Sequence, residues 1–192
     1  GARGQGYGYF IACLRHLLSQ AGVLRIDHVM GLHRLFCIPK GLEPGDGVYV
    51  HYPAEELYAI LTLESHMHKA VIVGEDLGTV PPYVRQAMAR HEVQRTAVFQ
   101  FGLSADSSRA VGSIPKNSLA SLNTHDTATF AGFWQGLDLL DRTALGLLEE
   151  GEAQREHSGR QSVREALQEF LRQKGLLNSG STDLCSLLRA CL

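Results

Sequence analysis

At 192 residues the chain is long enough for a substantial core, and its 44% hydrophobic and 20% charged residues are typical of a globular protein. With 18 basic against 20 acidic residues there is no basic surplus for nucleic acid and no acidic tail. The apolar runs are too short to span a bilayer, so neither nucleic acid nor membrane is an expected partner. The opening Gly1-Ala2-Arg3-Gly4 lacks a signal-peptide pattern and a Met, which points to a start further upstream. Cys13, Cys37, Cys185 and Cys191 show no CxxC spacing, and Cys13 and Cys185 fall in apolar helical patterns; reduced packing thiols of a cytosolic protein are expected.

In chain order, Gly4, Gly6 and Gly8 form a loop whose spacing, with no strand before it, does not make a dinucleotide fingerprint. Tyr9 to Gln20 has apolar residues at helical spacing, and Val23 to Ile26 follows as a strand ending in Asp27-His28. Arg25 and Asp27 lie two apart and share one strand face, while Leu24 and Ile26 share the other. Met30 to Val50 is a long connection with a small apolar piece, Leu35 to Ile38, as expected of a functional loop or subdomain. Pro53 to Lys69 is a helix, with acids early and His68 and Lys69 late. His66 and His68 invite a metal reading, but residues two apart on a helix face different ways, so no metal is expected there.

Next comes Val71-Ile72-Val73-Gly74-Glu75-Asp76-Leu77-Gly78, a short strand buried on both faces that ends in two carboxylates and a turn. Pro82 to His91 reads as a helix, Thr96 to Phe101 as a buried strand, and Ser104 to Pro115 as a looser stretch. Ser118 to Asn123 is a weaker strand leading to Thr124-His125-Asp126. Beyond it lie an aromatic-rich segment at Thr129 to Gly136, a helix over Asp138 to Glu149, and a polar linker at Gly151 to Arg160. Two amphipathic helices, Ser162 to Lys174 with a Ser162-x-x-Glu165 capping box and Thr182 to Leu192, close the chain.

Strands alternating with helices predict parallel pairing. The plainer reading, in which Glu75 and Asp76 only cap the next helix, weakens because a strand-tip carboxylate occurs three times, at Asp27, Glu75 and Asp126. A closed barrel aims such tips at one centre, whereas an open sheet concentrates its chemistry at a switch point. The fold class expected is therefore α/β, part of a (β/α)8 barrel with parallel strands, incomplete at both ends, plus C-terminal helices. Residues 1–150 would form the barrel portion and 151–192 a helical continuation of the same domain. No nucleophile elbow and no glycine cradle with Lys is present, so acyl and phosphoryl transfer are disfavoured. Paired carboxylates suit glycosidic bond chemistry, with one as nucleophile and the other as acid and then base.

Leu24-Arg25-Ile26-Asp27-His28, Val73-Gly74-Glu75-Asp76-Leu77-Gly78 and Asn123-Thr124-His125-Asp126 resemble, in order, the three catalytic-strand motifs of the amylomaltase (4-alpha-glucanotransferase) family, glycoside hydrolase family 77. Tyr49 to Lys69, Thr79 to Arg85 and Phe130 to Asp138 resemble the family's intervening segments, so the resemblance covers most of residues 7–150. It implies the part of the barrel around strands 4 to 7. It also implies Asp27 as nucleophile, Glu75 as general acid/base and Asp126 as transition-state stabiliser, with Arg25, His28 and His125 lining the donor subsite. Asp76 would shape the turn. The implied reaction transfers α-1,4-glucan segments between maltooligosaccharides through a covalent glycosyl-enzyme, with no cofactor and no metal. Cys37 departs from the bulky aromatic expected after the nucleophile strand. The chain is also shorter than the roughly 250 residues of a barrel, so a middle-to-late part of a longer enzyme, inactive by itself, is expected. An α-glucan hydrolase with the same acids, a non-catalytic glucan-binding remnant and a histidine metal hydrolase are the alternatives. Trp134 and Phe133 are read as core packing rather than a sugar platform.

Overall fold

The computed structural model describes residues 1–178, 180 and 183–191. Its elements run α1 (Gly8–Leu18), β1 (Val23–Ile26), β2 (Arg34–Cys37), β3 (Val48–His51), α2 (Ala54–His68), β4 (Val71–Gly74) and α3 (Pro82–Arg90). They continue with β5 (Arg95–Val98), β6 (Ser118–Ser121), α4 (Phe130–Gln135), α5 (Leu137–Ala144), α6 (Glu150–Gln173) and α7 (Leu184–Cys191). The Thr182 and Leu192 ends expected for the last helix lie outside the described residues. No described helix is long and apolar enough to cross a membrane.

The protein is a mixed α/β structure with parallel strand pairing. β1 and β4 pair in parallel, with Val23 opposite Val71 and Ile26 opposite Gly74. Val73 makes a further parallel bridge to Gln94, just before β5, and β5 pairs with β6. The strands are short because each is followed at once by a turn. Apolar side chains decide where they sit: Ile72 and Val73 are buried, whereas Val71, expected to be buried, is 46% exposed at the strand's start.

Two compact units emerge, one of residues 1–97 and 115–119, the other of 98–114 and 120–192. In the first, α1 and α2 contribute Leu14, Leu18, Tyr58 and Leu61 to a core shared with Ile72, Val84 and Met88. Glu55 and Glu56 in the first turn of α2 and His66 and His68 in its last complement the helix dipole. α3 starts at Pro82, where the missing N–H costs nothing. In the second unit the core gathers Phe99, Phe130, Trp134, Leu167, Leu171 and Leu187. Trp134 is buried there and stacks on Phe130 with centroids 5.9 Å apart, so the packing reading holds. Gly136, at φ 77°, makes the corner between α4 and α5.

Several expectations are corrected. The Met30–Val50 connection is an antiparallel hairpin of β2 and β3, with Phe36 against Tyr49 and Arg34 over the Tyr49 ring. The opening glycine loop contains a 3₁₀ turn over Ala2–Gln5. The strand expected to reach Phe101 ends at Val98, and a 3₁₀ turn over Phe99–Gly102 carries Phe99 into the second core. β6 stops at Ser121 rather than Asn123. The helix expected over 138–149 ends at Ala144. The polar stretch 151–160 is no linker but the first half of α6, and Ser162 is no N-cap: its hydroxyl donates to the Ser158 carbonyl at 3.3 Å. Cys185 is exposed and so is not a packing thiol; all four cysteines are free.

Candidate active site

Asp27 and Glu75 are the residues directly after β1 and β4, and the parallel register carries them out of the same strand end. The ladder continues into them, since the Glu75 N–H donates to the Ile26 carbonyl at 2.8 Å and the Val29 N–H to the Glu75 carbonyl at 3.0 Å. Arg25 Nη1 lies 2.7 Å from Asp27 Oδ1, as the shared strand face requires, while Leu24 and Ile26 pack toward the core. Asp27 and His28 are exposed, and His28 adopts φ 46°, a left-handed conformation uncommon outside glycine. That bend aims its N–H at Glu75, whose Oε2 accepts it at 2.9 Å, while Glu75 Oε1 accepts the Leu77 N–H at 2.6 Å. One half-buried carboxylate thus takes two main-chain donors, a fixed geometry at a strand tip.

Asp76 points the other way and is 2% exposed. Its Oδ2 accepts from Arg85 Nε at 3.0 Å and Arg95 Nε at 2.7 Å, and its Oδ1 accepts from the Thr96 N–H at 3.2 Å. A buried carboxylate needs such partners, and these tie the turn after β4 to α3 and β5. Gly74 just before it has no room for a side chain: an added Cβ would come within 2.9 Å of Met88 and Val29.

His125 and Asp126 belong to the second unit, in a tight turn after β6. There the Thr124 N–H donates to Thr127 Oγ1 at 3.0 Å and the Asp126 N–H to Thr124 Oγ1 at 3.2 Å. His125 Nε2 lies 3.3 Å from Asp126 Oδ2, and both side chains are exposed. Asp27, Glu75, Arg25 and His28 therefore come together within the first unit, and His125 with Asp126 within the second.

A family model described as 4-alpha-glucanotransferase matches residues 1–189. The chain belongs to the 4-alpha-glucanotransferase family. The 4-alpha-glucanotransferase of Haemophilus influenzae is 42% identical over 146 residues, 76% of this chain and 21% of that protein. That of Mycobacterium tuberculosis is 37% identical over 182 residues, 92% of this chain and 25% of that protein. The crystal structure of amylomaltase from Corynebacterium glutamicum matches with a TM-score of 0.84 at 29% identity, covering 99% of this chain and 28% of that one. An amylomaltase from Streptococcus agalactiae, in complex with acarbose, shares the fold at a TM-score of 0.67 and 17% identity, covering 98% of this chain and 33% of that one. The chain spans about a fifth to a quarter of the length of the curated relatives it matches.

A cleft of about 780 Å³ opens at the strand starts, beside Val71, Gln94 and Asn117, away from Asp27 and Glu75. Sequence reading missed two buried polar clusters in the first unit. Glu64, 1% exposed, receives Arg15 Nε at 3.0 Å to each oxygen. Its signal is spacing, since Tyr58, Leu61 and Glu64 lie three apart on the buried stripe of α2. Tyr58 in turn stacks on His91 and meets His33 edge-on, with its hydroxyl 3.3 Å from His33 Nε2. Nothing local in sequence announces that meeting.

Proposed function

We propose that the protein carrying this chain is a 4-alpha-glucanotransferase that moves α-1,4-glucan segments between maltooligosaccharides by a retaining double displacement. The observation that carries this reading is the exit of Asp27 and Glu75 from neighbouring parallel strands, in a chain of this family. Asp27 attacks the anomeric carbon as Glu75 gives a proton to the departing glycosidic oxygen, so the C–O bond breaks as the glycosyl ester forms. Glu75, now a carboxylate, takes the proton of an acceptor 4-hydroxyl as that oxygen attacks the anomeric carbon and Asp27 departs. Asp126 stabilises the oxocarbenium-like transition state, and Arg25, His28 and His125 bind the donor sugar. The two carboxylates supply nucleophile and proton, so no metal and no cofactor enters a step. Residues 1–150 are read as a (β/α)8 barrel portion, about strands 4 to 7, and 151–192 as its helical continuation. Parallel pairing and the likeness to amylomaltase support that reading, and four free thiols support a cytoplasmic location.

The test uses the full-length protein with maltotriose. Transfer yields glucose together with maltopentaose and longer products; glucose and maltose alone would mean hydrolysis. Glu75→Gln should cut maltotriose transfer by roughly 10²–10⁴-fold. It should still react with α-glucosyl fluoride, whose leaving group needs no proton, and trap the sugar on Asp27 as a covalent adduct visible by mass spectrometry. Trapping by Asp27→Asn instead would exchange the two roles.

A further inference from the structure

We propose that Asp76 is a positioning residue for Glu75, fixing where the acid stands through the main chain between them. This rests on the reading of Glu75 as acid/base. The two acids are consecutive but face opposite neighbours. Both main-chain groups of Glu75 are bound to the β1 side, at Ile26 and Val29. The Asp76 side chain is bound to the opposite side, where three N–H donors from Arg85, Arg95 and Thr96 converge on its carboxylate. Arg85 Nη2 also donates to the Asp76 carbonyl at 3.2 Å, so the peptide after Asp76 is held as well as the side chain. That peptide carries the Leu77 N–H, which grips Glu75 Oε1. The chain of cause runs from the two guanidiniums to Asp76, to the Leu77 N–H, and to the Glu75 carboxyl group that must meet the glycosidic oxygen. β4 itself is clamped just before, because the Gly74 N–H donates to the Gln94 carbonyl and Thr96 Oγ1 donates to the Gly74 carbonyl at 3.2 Å.

Asp76→Asn keeps the shape and breaks the device. In either orientation its amide places N–H donors against N–H donors, those of Arg85 and Arg95 or that of Thr96. The turn then shifts by a fraction of an ångström, and displacement of about 1 Å in a catalytic group can cost roughly a hundredfold.

The experiment compares wild-type and Asp76→Asn full-length protein on two donors. Steady-state transfer from maltotriose needs the acid; first-turnover fluoride release from α-glucosyl fluoride does not. The expected result is a fall of about tenfold or more in kcat on maltotriose, with first-turnover fluoride release within about threefold of wild type. An equal fall on both donors means a merely structural role and overturns the proposal, as does no fall on either. Should Asp76→Asn not fold, Arg85→Gln leaves the Arg95 and Thr96 bonds in place and is expected to show the same selective loss, smaller in size. Equal effects of that variant on both donors overturn the proposal too. Failure of the underlying reading looks different: wild type would be inert toward both donors, or Glu75→Gln would leave maltotriose transfer intact.

Discussion

His33 sits just before β2 with its imidazole between Tyr58 and Tyr83, ring centroids 5.5 and 5.4 Å away, and only 9% exposed. Burial pushes its pKa below the ordinary imidazole value, while Glu55 pulls it up and Arg90 pushes it down to smaller degrees. The same burial pushes the Tyr58 phenol up to about 12. Both groups are thus neutral at pH 7. Because the folded pKa of His33 is depressed, the unfolded chain binds the proton more readily. The stability tied to neutral His33 is complete above the unfolded value near 6.5 and is lost as pH falls from there toward the folded value. Thermal melts between pH 7.5 and 5.5 should show the midpoint falling, and His33→Gln should flatten that dependence. Identical slopes for the two proteins would remove His33 from the account. Asp27 and Glu75 were readable in sequence because they obey a local rule, an apolar strand ending in an acid, whereas Asp126 stands in the turn beyond β6, which ends at Ser121. The His33–Tyr58–His91 cluster was not readable, since three distant segments make it.

At the scale of elements, α6 shows how tertiary contacts override a local pattern. Residues 151–160 contain two glycines and little apolar periodicity, and so resemble a linker. Their helix is held by Arg160, whose guanidinium donates to the Phe133 carbonyl at 2.7 Å, forks onto both oxygens of Asp138, and lies 3.9 Å from the Phe133 ring centroid. Arg142 adds an ion pair to Glu156. Arg160→Ala strands a mostly buried Asp138 and should cost about 2–4 kcal/mol, with Arg160→Lys recovering only part because it lacks the fork. Urea unfolding followed through Trp134, the only tryptophan in these 192 residues, would measure it. An unchanged midpoint for Arg160→Ala would show that α6 stands without this bond. The β2–β3 hairpin escaped sequence reading for a related reason, as its strands alternate weakly and most of their side chains stay exposed.

For the molecule as a whole, the alternation of α1, β1, α2, β4, α3 and β5 and the parallel pairing of β1 with β4 were legible, because buried short strands between helices leave few other arrangements. The division into two compact units was not, for it cuts across β5 and β6, whose sequences carry no break. Large apolar side chains such as Tyr9, Leu140, Leu145 and Leu147 stand at least 66% exposed, a feature no periodicity forecasts.

The bond from the His28 amide to the Glu75 side chain spans 47 residues of chain, and it has a consequence for how this site comes into being. Closing so long a loop is an entropic cost that no local interaction offsets, so the bond cannot form ahead of the β1–β4 ladder. The two acids should meet late and in one cooperative event. Native-state hydrogen exchange would read this directly: the His28 and Val29 amides should open with the same free energy as those of the β4 strand. Exchange at His28 as fast as in the exposed turn at Gly78 would mean that the ladder and the bond form separately.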